Sequence, residues 1–232
     1  MRPGLLALIA CACLPWCAVM AQQLPPGLGK AGTVPPTPTT GTYAYLELFD
    51  GTDADVVFEG TLTIGVDPPW TGTLTGRDYR LTNTSAPAHV RYSYLLSLPD
   101  IPHEPLSQGT AHVDVAVDTV YDATYGVGAG MLFDFRPASG EYIAFVLTDA
   151  GYAVYVRGPD GLEQAMSGRS DAIRPGTLNR LTMRASGTEL HLAVNDDSVG
   201  SISFGRTPNG GIGIIALGAG AFTFARFAYE AP

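Results

Sequence analysis

The chain has 232 residues, with 22 acidic against 13 basic side chains and a formal charge of −9. Its single lysine is Lys30. Nucleic acid and anionic membrane surfaces are bound by clustered Lys and Arg, so this balance argues against both partners and favours solubility outside the cell. The three cysteines, Cys11, Cys13 and Cys17, all precede residue 22, so without that segment the chain has no thiol nucleophile, no disulfide and no Cys-ligated metal.

Residues 1–21 read as a cleavable signal peptide. Arg2 forms the basic end, the stretch from Leu5 to Val19 is apolar apart from Pro15, and Val19-Met20-Ala21 offers a small-residue cleavage site. Pro15 and the short apolar stretch argue against an uncleaved anchor, so no membrane span is expected after cleavage. Leu8-Ile9-Ala10-Cys11 has a lipobox-like form, a lipoprotein alternative, but it follows Arg2 too closely for an ordinary apolar region. Cleavage removes Arg2, leaving twelve basic and 22 acidic residues, a charge of −10. The expected location is secreted or periplasmic.

Residues 22–42, with Pro25, Pro26, Pro35, Pro36 and Pro38 among Gly and Thr, read as an extended linker. Composition is uniform from there on, and residues 43–232 are expected to form one domain. Helical periodicity never persists in it; residues 162–166 read at most as a turn. Short β-rich runs recur instead, at 43–49, 55–64, 79–82, 90–98, 112–120, 130–136, 142–148, 152–157, 180–185, 189–194, 199–204, 211–217 and 221–229. Turn-forming residues separate them, including Asp149-Ala-Gly151, Pro159-Asp160-Gly161, Ser186-Gly187, Asn195-Asp196 and Asn209-Gly210. The predicted fold is all-β, a two-sheet antiparallel sandwich. In residues 130–136 the alternation puts Met131, Phe133 and Phe135 on the core face and Leu132, Asp134 and Arg136 on the other.

Three strings carry a family resemblance. They are Gly-x-Gly-Met-Leu-Phe-x-Phe-Arg (128–136) with Glu-Tyr-Ile-Ala-Phe-Val-Leu (141–147) and Gly-Tyr-x-Val-Tyr (151–155); Asn-Arg-Leu-Thr-Met (179–183) with the run 187–195; and Gly-Ile-Gly-Ile-Ile (211–215) with Phe-Ala-Arg-Phe-Ala-Tyr (224–229). Together they resemble the concanavalin A-like lectin/glucanase jelly roll, in particular the LamG-like and family-16-related domains of bacterial exported proteins. The resemblance covers residues 109–229 well and 43–98 loosely. It implies a jelly roll, and since that fold hosts lectins, hydrolases and passive modules alike, function must come from the site.

Family-16 glycosidases carry Glu-x-Asp-x-x-Glu on one strand, and no such run exists here. The nearest carboxylates, Asp114 and Asp118, share a strand face with Cα atoms roughly 13 Å apart. Glycosidase pairs stand about 5–9.5 Å apart, so this strand alone does not supply one, although Asp134 on a neighbouring strand could complete a pair. No Gly-x-Ser-x-Gly elbow is present. His89, His103 and His191 read as surface residues. Calcium is the candidate cofactor, at Asp50, Asp53 and Asp55, three carboxylates in one loop. Sugars are bound by aromatic faces and planar polar groups, which points to Trp70, Asp114, Asp134, Arg136 and Tyr142 as candidate ligand-binding residues. Trp70 follows two prolines and reads equally as a displayed platform or as a cap on the core. The expected function is an exported, non-catalytic glycan-binding module. The alternatives are a structural or protein-interaction module of the cell envelope, with an envelope protein as partner, and a divergent glycoside hydrolase.

Overall fold

A computed structural model describes residues 43–51, 58, 61–98 and 105–232. Residues 1–42, where the signal peptide and linker are expected, lie outside the described residues, as do Asp53, Asp55 and His103. The β-branched and aromatic runs form strands because alternate side chains find an apolar layer on one or both sides. In chain order the strands are β1 (Tyr45–Glu47), β2 (Gly65–Asp67), β3 (Trp70–Leu74), β4 (Tyr79–Asn83), β5 (Val90–Leu95), β6 (Thr110–Asp122), β7 (Gly128–Arg136) and β8 (Glu141–Leu147). They continue with β9 (Tyr152–Gly158), β10 (Gly161–Gly168), β11 (Asn179–Ser186), β12 (Glu189–Val194), β13 (Asp197–Ser203), β14 (Gly211–Leu217) and β15 (Ala219–Glu230). Residues 162–166, expected as a turn, belong to β10.

Two antiparallel sheets form the sandwich, as expected of a jelly roll. One has nine strands in the order β13-β12-β11-β6-β15-β4-β3-β2, with β1 also paired to β15; the other has six, β10-β9-β8-β7-β14-β5. Between the sheets, Met131, Phe133, Phe145, Val154 and Ile214 pack against Val113, Val115, Leu181, Met183 and Phe224. Asn195 and Asp196 both take positive φ, 49° and 70°, in the tight turn joining β12 to β13, the geometry that short polar side chains tolerate best. Among the described residues no helix is long and apolar enough to cross a membrane.

The six-stranded sheet is apolar on both faces. On the face away from the core, Leu132, Phe135, Tyr142, Ala144, Val146 and Ile215 form a second buried cluster, with Tyr92, Tyr94 and Tyr155 packed against it. Phe135 belongs to this layer, not to the core phase of Met131 and Phe133 that strict alternation predicts. The cause is Asp134, whose φ of 51° makes a bulge; the β7–β8 register shifts between Phe133 and Arg136. An inserted left-handed residue advances the alternation by one, so every side chain after it changes face. Asp134 is 1 % exposed, and its Oδ1 accepts the backbone N–H groups of Asn209 and Gly210, both at 2.8 Å. Arg206 Nη2 lies 2.6 Å from Oδ2 as an ion pair without hydrogen-bond alignment. The bulge thus clamps the chain between β13 and β14.

Candidate functional site

Among the described residues, those singled out from the sequence do not converge on one site; Asp134 and Arg136 come together, 3.8 Å apart. Trp70 opens β3 with its ring inside the sandwich, 2 % exposed and 6.4 Å from the Phe222 ring between centroids; it is a core residue, not a platform. Asp114 lies on the outer face of the nine-stranded sheet, held by Arg180 and Arg226, each at 3.0 Å. Burial alone would lower the Arg180 pKa, but the hydrogen bond and charge of Asp114 outweigh it and raise it. Asp118, on the same strand, accepts a hydrogen bond from the Thr223 hydroxyl at 2.6 Å. Arg136 donates to Asn209 at 2.6 Å and stands 3.6 Å from Glu141 and 3.8 Å from Asp134. Asp134 and Arg136 therefore brace loops. Tyr142 lies in the second apolar layer, its ring 6.0 Å from Tyr92, and burial raises its phenol pKa. Asp50 is exposed. Among the described residues no three His, Asp or Glu side chains are grouped so as to hold a metal ion.

A different set of residues does converge, at one end of the six-stranded sheet. A cleft of about 380 Å³ opens there between β9, β10, the 148–151 turn and the chain leading into β7. Its wall carries Tyr155, Gln164, Ser167, Thr148, Asp149 and Arg169, with the glycines Gly126, Gly151 and Gly168 between them. The local sequence accounts for this arrangement. Gln164 pairs with Tyr155 and Ser167 with Ala153, and the register shifts between Gln164 and Met166. The extra residue, Ala165, brings Gln164 and Ser167 to the same face although they are three apart. The Gln164 amide donates to the Ser167 hydroxyl at 3.2 Å. Gly126 takes a φ of 81°, the left-handed region that favours glycine, and a Cβ there would also stand 2.9 Å from the Tyr155 hydroxyl. Burial raises the Tyr155 pKa, so at neutral pH its hydroxyl is a donor as well as an acceptor.

The cleft thus presents the phenol ring of Tyr155, that of Tyr152 with its hydroxyl already bonded to Val199 O, an amide, the Thr148 and Ser167 hydroxyls, one carboxylate and one guanidinium. These are the groups that orient a hydroxyl-rich ligand. Asp149 is the one carboxylate in its wall, whereas hydrolysis of a glycosidic bond uses two. On the outer face of the nine-stranded sheet, a cleft of about 310 Å³ is lined by Asp114, Asn179, Arg180 and Asn195. Those polar groups are already bonded to one another, Arg180 to Asp114 and Asn195 to Asn179. The first cleft has fewer internal bonds and more capacity for a ligand. Sequence reading missed it because the Ala165 bulge breaks the period-two pattern; the recurring glycines at 126, 151 and 168 were the available signal.

No family model matches the chain, and no curated protein matches it. Solved structures do resemble it. A protein of unknown function with a galectin-like fold from Bacillus subtilis superposes with a TM-score of 0.58 at 11 % identity, over 82 % of this chain and 96 % of that one. A GlcNAcα1-4Gal-releasing endo-β-galactosidase from Clostridium perfringens gives 0.54 at 9 %, over 87 % and 65 %. A Bacillus licheniformis β-glucanase gives 0.53 at 10 %, over 84 % and 100 %. At such identities the likeness concerns fold alone. With the sheet order and the two-layer core, it establishes that the chain is folded as a concanavalin A-like jelly roll.

Proposed function

We propose that this chain is an exported, non-catalytic β-sandwich module that binds glycan in the cleft between β9, β10 and the 148–151 turn. The observation that carries the reading is the joint presence of a half-buried Tyr155 and the planar polar groups of Gln164, Asp149 and Arg169 around one concavity. The single carboxylate supports binding without hydrolysis. Asp114 and Asp134, suggested by the sequence as ligand-binding residues, are engaged in ion pairs outside this cleft, which supports placing the site elsewhere. Export rests on the leader-like residues 1–21 and is tested by N-terminal sequencing of the protein recovered from outside the cytoplasm. The binding test is a glycan array probed with the mature protein and with Tyr155→Ala and Gln164→Ala. Wild type retains at least one glycan class, and each variant loses about tenfold or more in affinity, ~1.4 kcal/mol. Variants that bind as wild type would refute the site; an array without retained glycan would refute the function.

A second reading, a protein-interaction module of the envelope, is favoured by one feature. Val66 is 76 % exposed on β2, the terminal strand of the nine-stranded sheet in the described residues, with Ile64 just before it at 52 %. An exposed apolar edge strand is a template for pairing with another chain. Val66→Lys would abolish such pairing and leave glycan retention unchanged.

A further inference from the structure

The cleft has a neighbour. A second concavity, about 260 Å³, lies between residues 117–120 of β6, the same 148–151 turn and the chain at 173–177. Thr148 and Asp149 line both. One concavity therefore opens beside β9 and β10 on the six-stranded sheet and the other beside β6 of the nine-stranded sheet, with a single turn between them.

Both walls are set before any ligand arrives. In the shared turn, Thr148 N donates to Gly151 O at 2.9 Å, and the Thr148 hydroxyl accepts from Ala150 N at 3.3 Å. The far wall is wired by Asn179, which is 3 % exposed. Its Oδ1 accepts from Arg174 N at 2.7 Å, and its Nδ2 donates to Arg174 O and Thr177 O, both at 2.9 Å. The backbone of the 174–177 segment is thereby held, while the Arg174 and Thr177 side chains stay exposed at the rim. Preformed walls remove the ordering cost that a flexible loop would charge against affinity.

Both signs of charge occur along this path, two carboxylates between two guanidinium groups. Arg169 and Asp149 line the first concavity; Asp149, Asp118 and Arg174 line the second. Neither end gathers cations, so the path does not suit a polyanion.

We propose that the two concavities are consecutive subsites for one neutral, linear oligosaccharide that passes over the Thr148–Asp149 turn. The inference rests on the glycan-binding reading and adds the ligand's length and charge class. Two subsites joined by a covalent chain act at high effective concentration, so affinity rises with chain length until both are filled and then levels off.

The test is calorimetric titration of the mature protein with ladders of β-glucan, chitin and fructan oligomers from mono- to hexasaccharide, with alginate oligomers as an anionic control. For the ladder that binds, Kd falls at least about tenfold between the shortest and a middle member, then plateaus, and alginate binds more weakly. Arg174→Ala removes the gain with length while leaving short-oligomer affinity intact, whereas Tyr155→Ala weakens every member. Arg174 is exposed and its loop contacts are backbone ones, so the variant retains the fold, as its melting temperature would report. A monosaccharide that binds as tightly as the longer members overturns the inference and leaves the glycan reading standing. So does an Arg174→Ala protein that keeps the full gain with length, or alginate binding as well as the neutral chains. Absence of binding across all ladders overturns both.

Discussion

Asp134 offers the sharpest test of the bulge that redirects β7. In Asp134→Ala the carboxylate disappears and two backbone donors, Asn209 N–H and Gly210 N–H, lose their acceptor. Hydrogen bonds to a charged group contribute about 1.5–3 kcal/mol each. The Arg206 and Arg136 partners are 41 % and 30 % exposed, so solvent screening limits each pair to well under about 1 kcal/mol. Alanine at a φ of 51° also lacks the local stabilisation that lets aspartate take this conformation, worth about 1 kcal/mol. Non-additivity and partial rehydration of the loop bring the expected loss to about 3–5 kcal/mol. In a domain of this size that corresponds to a melting temperature lower by about 8–15 °C. Asp134→Asn keeps one acceptor oxygen and the backbone preference, and should lose about half as much. Asp134→Gly relieves the backbone but not the lost bonds, and should fall close to alanine. Urea unfolding followed by Trp70 fluorescence measures all three. If Asp134→Ala unfolds within about 1 kcal/mol of wild type, the clamp between β7 and the β13–β14 connection contributes nothing and the argument fails.

Other outcomes follow from the same structure. Trp70→Ala should cost about 3–5 kcal/mol in a denaturant titration, through the cavity it leaves beside Phe222, and under the proposed function the folded variant should bind glycan as tightly as wild type. A variant that stays stable and loses binding would restore Trp70 as a platform. Gly213→Ala would place a Cβ 2.0 Å from Ser93 O and 2.8 Å from Tyr94 Cα, both backbone atoms, so overpacking of about 1–3 kcal/mol should outweigh the strand preference for alanine. An unchanged melting temperature would contradict that. His112 is buried against Thr182 at 2.9 Å, with Glu230 at 3.5 Å and Tyr43, Asp114 and Arg180 around it. Burial lowers its pKa despite the opposing pull of Glu230. The unfolded chain takes up a proton near pH ~6.5 that the folded chain refuses, so stability should fall as pH drops from about 7 towards the lowered folded value. His112→Asn should flatten that slope between pH 7 and 5; parallel curves would rule the histidine out.

The all-β sandwich was legible because strand runs and turn residues agree at most positions; the paired positive φ values at Asn195 and Asp196 follow directly from those side chains. The site was not, and the reasons are local. Alternation counts residues and assumes that none is inserted, so Asp134 moved Phe135 and Ala165 moved Ser167 without leaving a mark in the hydrophobic pattern. Trp70 reads from the sequence as either platform or core because its prolines describe the chain before it and not the direction of its own side chain, which the structure turns inward. Asp114 looked available because its arginines come from β11 and β15, and Arg180 lies 66 residues away in sequence. Partners brought by topology are invisible to motif reading.

The extra residue at Ala165 has a consequence beyond the placing of two side chains. Strand β10 is the terminal strand of the six-stranded sheet among the described residues, so its irregularity disturbs one ladder, while Met166 beside it still packs partly against the core. If the proposed cleft binds glycan, lengthening or shortening β10 by a residue would change which groups face it at the cost of one ladder and the Met166 contact. A bent margin is also a poor template for strand addition, so the irregularity that sets Gln164 and Ser167 on one face discourages two copies from joining along it. Protection from edge-to-edge pairing and the shape of the proposed cleft draw on the same irregular edge.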